Sequence, residues 1–366
     1  MPAEHVWKRV EGVREALGKS DAEALVLFVF EGANWESMYY LTGFRGTSSA
    51  AVVTKKDAFL ITDGRYLSQA QLQSPFTIVP QGQRHIHETV GEVLAGAGVT
   101  QAGFEGERIS FAFHKKLSDM PVRWHDLSEV LPKLRRCKDL LERQFVEKAA
   151  SIAGEAFLRT LAQVTPGMTE RRVAALLEFA MKDLGAEGGW EDEFIVASGP
   201  RNALPHGRAS DRILQAGEWV TVDFGAQYGG YVCDLTRNFS LGAPDPWARD
   251  LHALLLEAQR AGVRALRHGA SGRDVDAAAR RVIEDAGFGG AFSHGLGHGF
   301  GLHIHEAPRL SYMSEDTLAS GDLVTVEPGV YFEGRGGMRV EDDYWVTDLG
   351  AVCLSPNLSQ EFFVVS

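Results

Sequence analysis

Four carboxylates in two similar settings are the residues of this chain best placed for chemistry. Asp223 closes the apolar run Trp219 to Phe224 (WVTVDF), and Asp234 follows a glycine-containing turn at 227–230. Glu327 closes the run Leu323 to Glu327 (LVTVE), and Glu341 follows a second such turn at 334–337. Alternate strand residues share a face, which groups Thr221 with Asp223, Asp234 with Thr236, Thr325 with Glu327 and Arg339 with Glu341. Four acids converging in a mostly apolar sheet ionise only at high cost, because each raises its neighbours' pKa and burial adds to it. Two divalent cations would balance the four negative charges and activate water for hydrolysis. An oxygen-rich set with one imidazole suits a hard or borderline ion such as Mn²⁺ better than it suits a thiolate-type zinc site. The imidazole is expected from Ser293 to Glu306, where His294, His298, His303 and His305 make up four of the twelve histidines. Glycines on both sides of His298 let the backbone approach closely, as a ligand wedged between metals requires.

The elements that must carry these groups are duplicated. GEWVTVDFG at 217–225 recurs as GDLVTVEPG at 321–329, an offset of 104 residues. Upstream, Gly167, Met168, Thr169, Val173 and Gly185 correspond to Gly269, Ala270, Ser271, Val275 and Gly287. Each copy starts at an N-cap residue, runs as an amphipathic helix to a glycine, and continues into a strand ending in a carboxylate. The reading is an α+β domain of two pseudo-symmetric halves whose facing strands form a central sheet.

The preceding residues read as an alternating α/β unit. Helices are expected at 3–17 and 88–95, and strands at 24–30, 50–54, 58–62 and 102–104. From Leu131 to Leu161 the pattern turns helical and charged, so the domains are drawn as 1–134 and 135–366. A net charge of −12 without a Lys/Arg-rich run argues against nucleic acid and anionic membranes as partners. The N-terminus lacks the apolar core of a secretory signal, and the longest apolar run, Ala24 to Phe30, is too short to span a bilayer. Three cysteines, Cys137, Cys233 and Cys353, have no metal-type spacing and suit reduced thiols, so a cytoplasmic location is expected.

These motifs resemble the M24 "pita-bread" metallopeptidases, which include methionine aminopeptidase, Xaa-Pro dipeptidase (prolidase), aminopeptidase P and creatinase. The likeness lies in FIVASG at 194–199 with Pro205-His206, VDFG at 222–225 with DLTR at 234–237, GHGFGL at 297–302 with HEAP at 305–308, VEPGVY at 326–331 and GMRVED at 337–342. It implies that Asp223, Asp234, His298, Glu327 and Glu341 hold two divalent ions, Mn²⁺ first, with Co²⁺ or Zn²⁺ as alternatives. Asp234 and Glu341 would bridge them, and Glu327 would also handle the catalytic proton. His206, His294 and His305 resemble the family's substrate-facing histidines, with His206 and His305 counted as catalytic. Tyr331 and Arg339 sit where the Xaa-Pro branch keeps a tyrosine and an arginine. His303 and the cysteines match no family role.

The first domain resembles the creatinase-type N-terminal domain through YLTGF at 40–44 and TDGRY at 62–66. The resemblance implies a homodimer acting on peptides with proline second, as an aminopeptidase P releasing the first residue. The alternative is a dipeptidase, which would need a cation for the carboxylate of the proline. A non-catalytic peptide- or protein-binding module is the reading from another class, and it is disfavoured by the intact ligand set.

Overall fold

Ala24–Phe30 (ALVLFVF) is an unbroken apolar run, and only a strand covered on both faces accommodates one. In the computed structural model, which describes residues 1–190 and 194–365, it takes an inner position of a six-stranded mixed sheet. It pairs antiparallel with Ser48–Thr54 and parallel with Gln101–Phe104. Ala3–Leu17 and Ile86–Gly96 form helices, as their apolar spacing predicts. The chain divides into two compact units, Met1–Arg135 and Arg136–Ser366. Among the described residues no helix is long and apolar enough to cross a membrane.

The charged helical stretch from Leu131 is two helices, Val130–Arg136 and Leu140–Leu161. Asp139 starts the second with a capping box: its carboxylate accepts from the Leu141 and Glu142 N–H groups, and Glu142 accepts from the Asp139 N–H.

The duplication is visible bond by bond in the second unit. Thr169 caps helix Glu170–Asp183 and Ser271 caps helix Gly272–Asp285. The Leu214 N–H donates to the Met168 carbonyl (2.9 Å), and the Leu318 N–H donates to the Ala270 carbonyl (2.8 Å). Each half packs two helices with a sheet around its own core. Phe157, Leu177 and Phe224 are among the buried side chains of the first core, and Leu255, Val275 and Val326 are among those of the second.

The facing strands do not fuse into one central sheet, as the sequence reading had them. Hydrogen bonding closes a four-stranded sheet built on Trp219–Phe224 and Leu235–Leu241 and a five-stranded sheet built on Leu323–Val326 and Asp342–Thr347. An isolated bridge, Thr236 with Glu341, joins them. The ladder stops there because the backbone turns its donors to side chains: the Asp234 N–H bonds the Asp343 carboxylate (2.9 Å) instead of a neighbouring strand.

Candidate metal centre

The register of three neighbouring segments builds the site. Antiparallel pairing sets Thr236 opposite Asp223, and the bridge sets Thr236 opposite Glu341. Asp223 lies within the buried strand Trp219–Phe224, and Asp234 precedes Leu235–Leu241. Glu327 follows Leu323–Val326, with its N–H bonded to the Leu296 carbonyl (2.8 Å). Glu341 lies between strands Gly336–Arg339 and Asp342–Thr347. The short strand Gly297–Gly299 carries His298 beside them, its N–H bonded to Thr325 Oγ1 (3.1 Å). The flanking glycines are required by space. A Cβ at 297 would lie 2.1 Å from the Thr325 oxygen, and one at 299 would lie 2.2 Å from the Ala307 oxygen.

Asp223, Asp234, His298, Glu327 and Glu341 all line one cavity of about 570 Å³. His298 Nε2 lies 3.4 Å from Glu327 Oε1 and 3.7 Å from Asp234 Oδ2. Asp234, His298 and Glu341 each offer a ligand atom within 4.8 Å of the others. Among the described residues, Asp223 Oδ1 and Asp234 Oδ1 are buried without a hydrogen-bond partner. Buried acceptors left unpaired are costly, and a cation between them removes the cost. The donor set therefore fits divalent metal.

The electrostatics agree. Burial, then the charges of Glu341 and Asp223, push the Asp234 carboxyl well above its usual range. Burial, then Glu327 and Asp223, do the same to Glu341. Glu327 is pushed up to about 7, chiefly by burial, with Arg339 pulling the other way. Burial, reinforced by His305, drops His298 to about 3, so its ring is neutral. Its Nδ1 lies 3.0 Å from the Gly299 carbonyl, which fixes the proton there and leaves the Nε2 lone pair facing the carboxylates.

His206, His294, His305 and Arg339 line the same cavity, whereas Tyr331 stands behind its wall. Arg339 donates to Asp223, to Thr236 Oγ1 (3.1 Å), to the Pro205 carbonyl (3.2 Å) and to Tyr331 Oη (2.8 Å). Tyr331 in turn meets His294 Nε2 (3.1 Å), while His294 Nδ1 meets the Gly295 carbonyl (2.7 Å). Both nitrogens of His294 are thus engaged, and its contribution is to shape the wall. His305 lies edge-on to His298, ring centroids 4.5 Å apart. His303 folds back on the His305 carbonyl (3.1 Å), outside the cavity lining. Cys233 is buried, with its Sγ accepting from the Ala226 N–H (3.3 Å).

Sequence reasoning missed Trp190, Arg208 and Arg309, which also line the cavity. Arg309 sits directly across the strand pair from His298. That pairing leaves no mark in the sequence, since the two segments are joined through an irregular loop and a register shift.

Comparison with known proteins identifies the architecture. A model of metallopeptidase family M24 matches residues 144–348, the segment that holds all five candidate ligands. The chain belongs to family M24. A second match, the creatinase/prolidase N-terminal domain, covers residues 9–137. This M24 chain is thus a metallopeptidase, with a creatinase-type α/β domain followed by a pita-bread catalytic domain, and its family implies divalent metal ions. It is 40% identical over 347 residues to a Xaa-Pro dipeptidase of Pyrococcus horikoshii, covering 94% of this chain and 95% of that one. An X-Pro aminopeptidase structure from Thermotoga maritima superposes with a TM-score of 0.92 at 34% identity, covering 96% of this chain and all of that one. A Xaa-Pro dipeptidase structure from Bacillus anthracis gives 0.93 at 36% identity, covering 98% and 99%.

Proposed function

We propose that this metallopeptidase hydrolyses the bond before a proline at the second position, releasing the N-terminal residue of the peptide. The convergence of Asp223, Asp234, His298, Glu327 and Glu341 on one cavity, edged by His206, His294 and His305, carries the reading. Relatives named both X-Pro aminopeptidase and Xaa-Pro dipeptidase support the substrate class.

The five residues would hold two divalent ions, Mn²⁺ by the hardness of four carboxylates and one imidazole. Bound there, the ions supply Lewis-acid polarisation of the carbonyl and activation of water. The chain's own residues do the rest. Glu327, at the cavity wall, accepts the proton of the attacking water and passes it to the proline nitrogen as the C–N bond breaks. As with any amide, that delivered proton is what lets the nitrogen leave as an amine. His206 and His305, both exposed at the cavity, are the donors available to the developing oxyanion. Arg339 fixes Asp223 and, through Tyr331, the His294 wall.

A second reading, restriction to dipeptides, is favoured by Arg309. It lines the cavity opposite His298 in the strand pair, a cation available to a dipeptide's free carboxylate. The test is to assay Xaa-Pro and Xaa-Pro-Yaa peptides after chelation, with and without added Mn²⁺. Failure to release the first residue from either in a metal-dependent way refutes the proposal. Cleavage of the tripeptide supports the aminopeptidase, and cleavage of the dipeptide alone supports the restricted enzyme.

A further inference from the structure

Behind the candidate metal ligands lies a second polar cluster, whose side chains do not line the cavity. Arg237 stands between Thr236 and Asn238 in strand Leu235–Leu241, and its side chain points to the face opposite that of Thr236. It is 1% exposed and heads the large side chains that are fully buried. All five of its N–H groups are used. Nε donates to the Ser359 carbonyl (2.8 Å), and Nη2 donates to Asp342 Oδ1 (2.6 Å) and the Leu358 carbonyl (3.2 Å). Nη1 donates to the carbonyls of Thr236 (3.0 Å) and Glu341 (2.7 Å).

Those last two carbonyls belong to the bridged pair that joins the two sheets. The bridge's own backbone bonds are 3.4 Å in both directions, longer than an ordinary N–H···O bond. One nitrogen of Arg237 therefore grips both halves more tightly than their backbones grip each other. Its counter-charge is anchored separately, since Asp342 also accepts from Ser355 Oγ (2.7 Å), Gln259 Nε2 (3.1 Å) and Gln360 Nε2 (2.6 Å). Buried ion pairs contribute little net stability over apolar side chains, so this one is better explained by the geometry it enforces.

We propose that Arg237 is a positioning residue that sets the separation of the Asp223/Asp234 half from the Glu327/Glu341 half, and hence the spacing of the two metal positions. The proposal rests on the metal-ligand reading of those residues. Lysine at this position keeps the charge but lacks the planar fork that reaches both carbonyls.

The test compares the intact wild-type chain, Arg237→Lys and Leu177→Ala, a cavity variant in the buried face of helix Glu170–Asp183 that serves as a control for lost stability. Each is titrated with Mn²⁺ by calorimetry, and the coupling between the paired Mn²⁺ ions is read by electron paramagnetic resonance. Arg237→Lys is expected to weaken the second Mn²⁺ by about 10-fold or more and to alter the coupling, as loss of groups that orient metal ligands does. Leu177→Ala should leave both readouts at wild type even with its Tm lowered. Unchanged affinity and coupling in Arg237→Lys, or equal changes in Leu177→Ala, overturn the proposal. Should Arg237→Lys not fold, Asp342→Asn loosens the same guanidinium and must shift both readouts in the same direction. A wild-type chain that binds fewer than two Mn²⁺ refutes the ligand reading itself, and this inference with it.

Discussion

Replacing Glu327 with glutamine should make the metal-free protein more stable while it removes catalysis. The metal-free site crowds ionisable acids into a buried space, and Glu327 is raised from an ordinary 4.5 to about 7, with burial the main cause. At 1.36 kcal/mol per pH unit, ionising it in the folded state costs about 3 kcal/mol. A folded-state pKa above the unfolded value means that the folded acid resists losing its proton. The cost is therefore absent below pH 4.5, grows between 4.5 and about 7, and is complete above that. Glutamine removes the charge and keeps an oxygen for the Thr325 hydroxyl, 3.2 Å away in the wild type. At pH 8 the chelated variant should gain about 1–3 kcal/mol, several degrees of Tm for a unit of this size. The gain should vanish toward pH 4.5. Turnover with Mn²⁺ should fall by about 10²–10⁴-fold, the usual contribution of a positioned acid–base group. Scanning calorimetry of chelated protein at both pH values, beside steady-state kinetics, reads the two effects. A metal-free variant less stable than wild type at pH 8, or equally stabilised at pH 4.5, would refute the electrostatic account. Full turnover would remove Glu327 from the proton-handling role.

Mn²⁺ binding should release protons and weaken as pH falls from 8 to 6, because Glu327 titrates near 7 and Asp234 and Glu341 are raised well above their usual values. Calorimetry in buffers of different ionisation enthalpy counts those protons, and fewer than one per protein at pH 7 contradicts the reading. Arg309→Gln should raise KM for a Xaa-Pro dipeptide by about 10-fold or more, the loss of one charge-assisted hydrogen bond, and leave a tripeptide little changed. Equal effects on both would show that Arg309 does not meet a terminal carboxylate. Glu170→Ala should cost about 3 kcal/mol or more in denaturant unfolding. Its fully buried carboxylate accepts from the backbone and hydroxyl groups of both Ser198 and Ser210 and pairs with Arg201, so the loss strands several donors at once. Mn²⁺ stoichiometry should stay at the wild-type value.

The carboxylates were legible because their surroundings are local and repeated. WVTVDF and LVTVE announce buried strands by composition, and the glycines around His298 announce a tight approach, here to within 2.1–2.2 Å of a would-be Cβ. The long elements were legible for the same reason, since Ala3–Leu17 carries a helical apolar period and Ala24–Phe30 an unbroken apolar run within itself. Trp35–Thr42, buried all round over Ser37 to Thr42, and Phe111–Ser118, in which Leu117 alone is buried, lack a one-sided apolar face and were not expected. The sequence alone thus determined the duplicated architecture and the acids it presents, because strand period and turn chemistry act between near neighbours. Tertiary structure decided what depends on register between distant segments. It limited the backbone pairing of the two sheets to a bridge between Thr236 and Glu341, engaged the nitrogens of His294 with Tyr331 and the Gly295 carbonyl, and brought Arg309 opposite His298. Those outcomes follow from which backbone groups find partners across the fold, and no spacing along the chain records them.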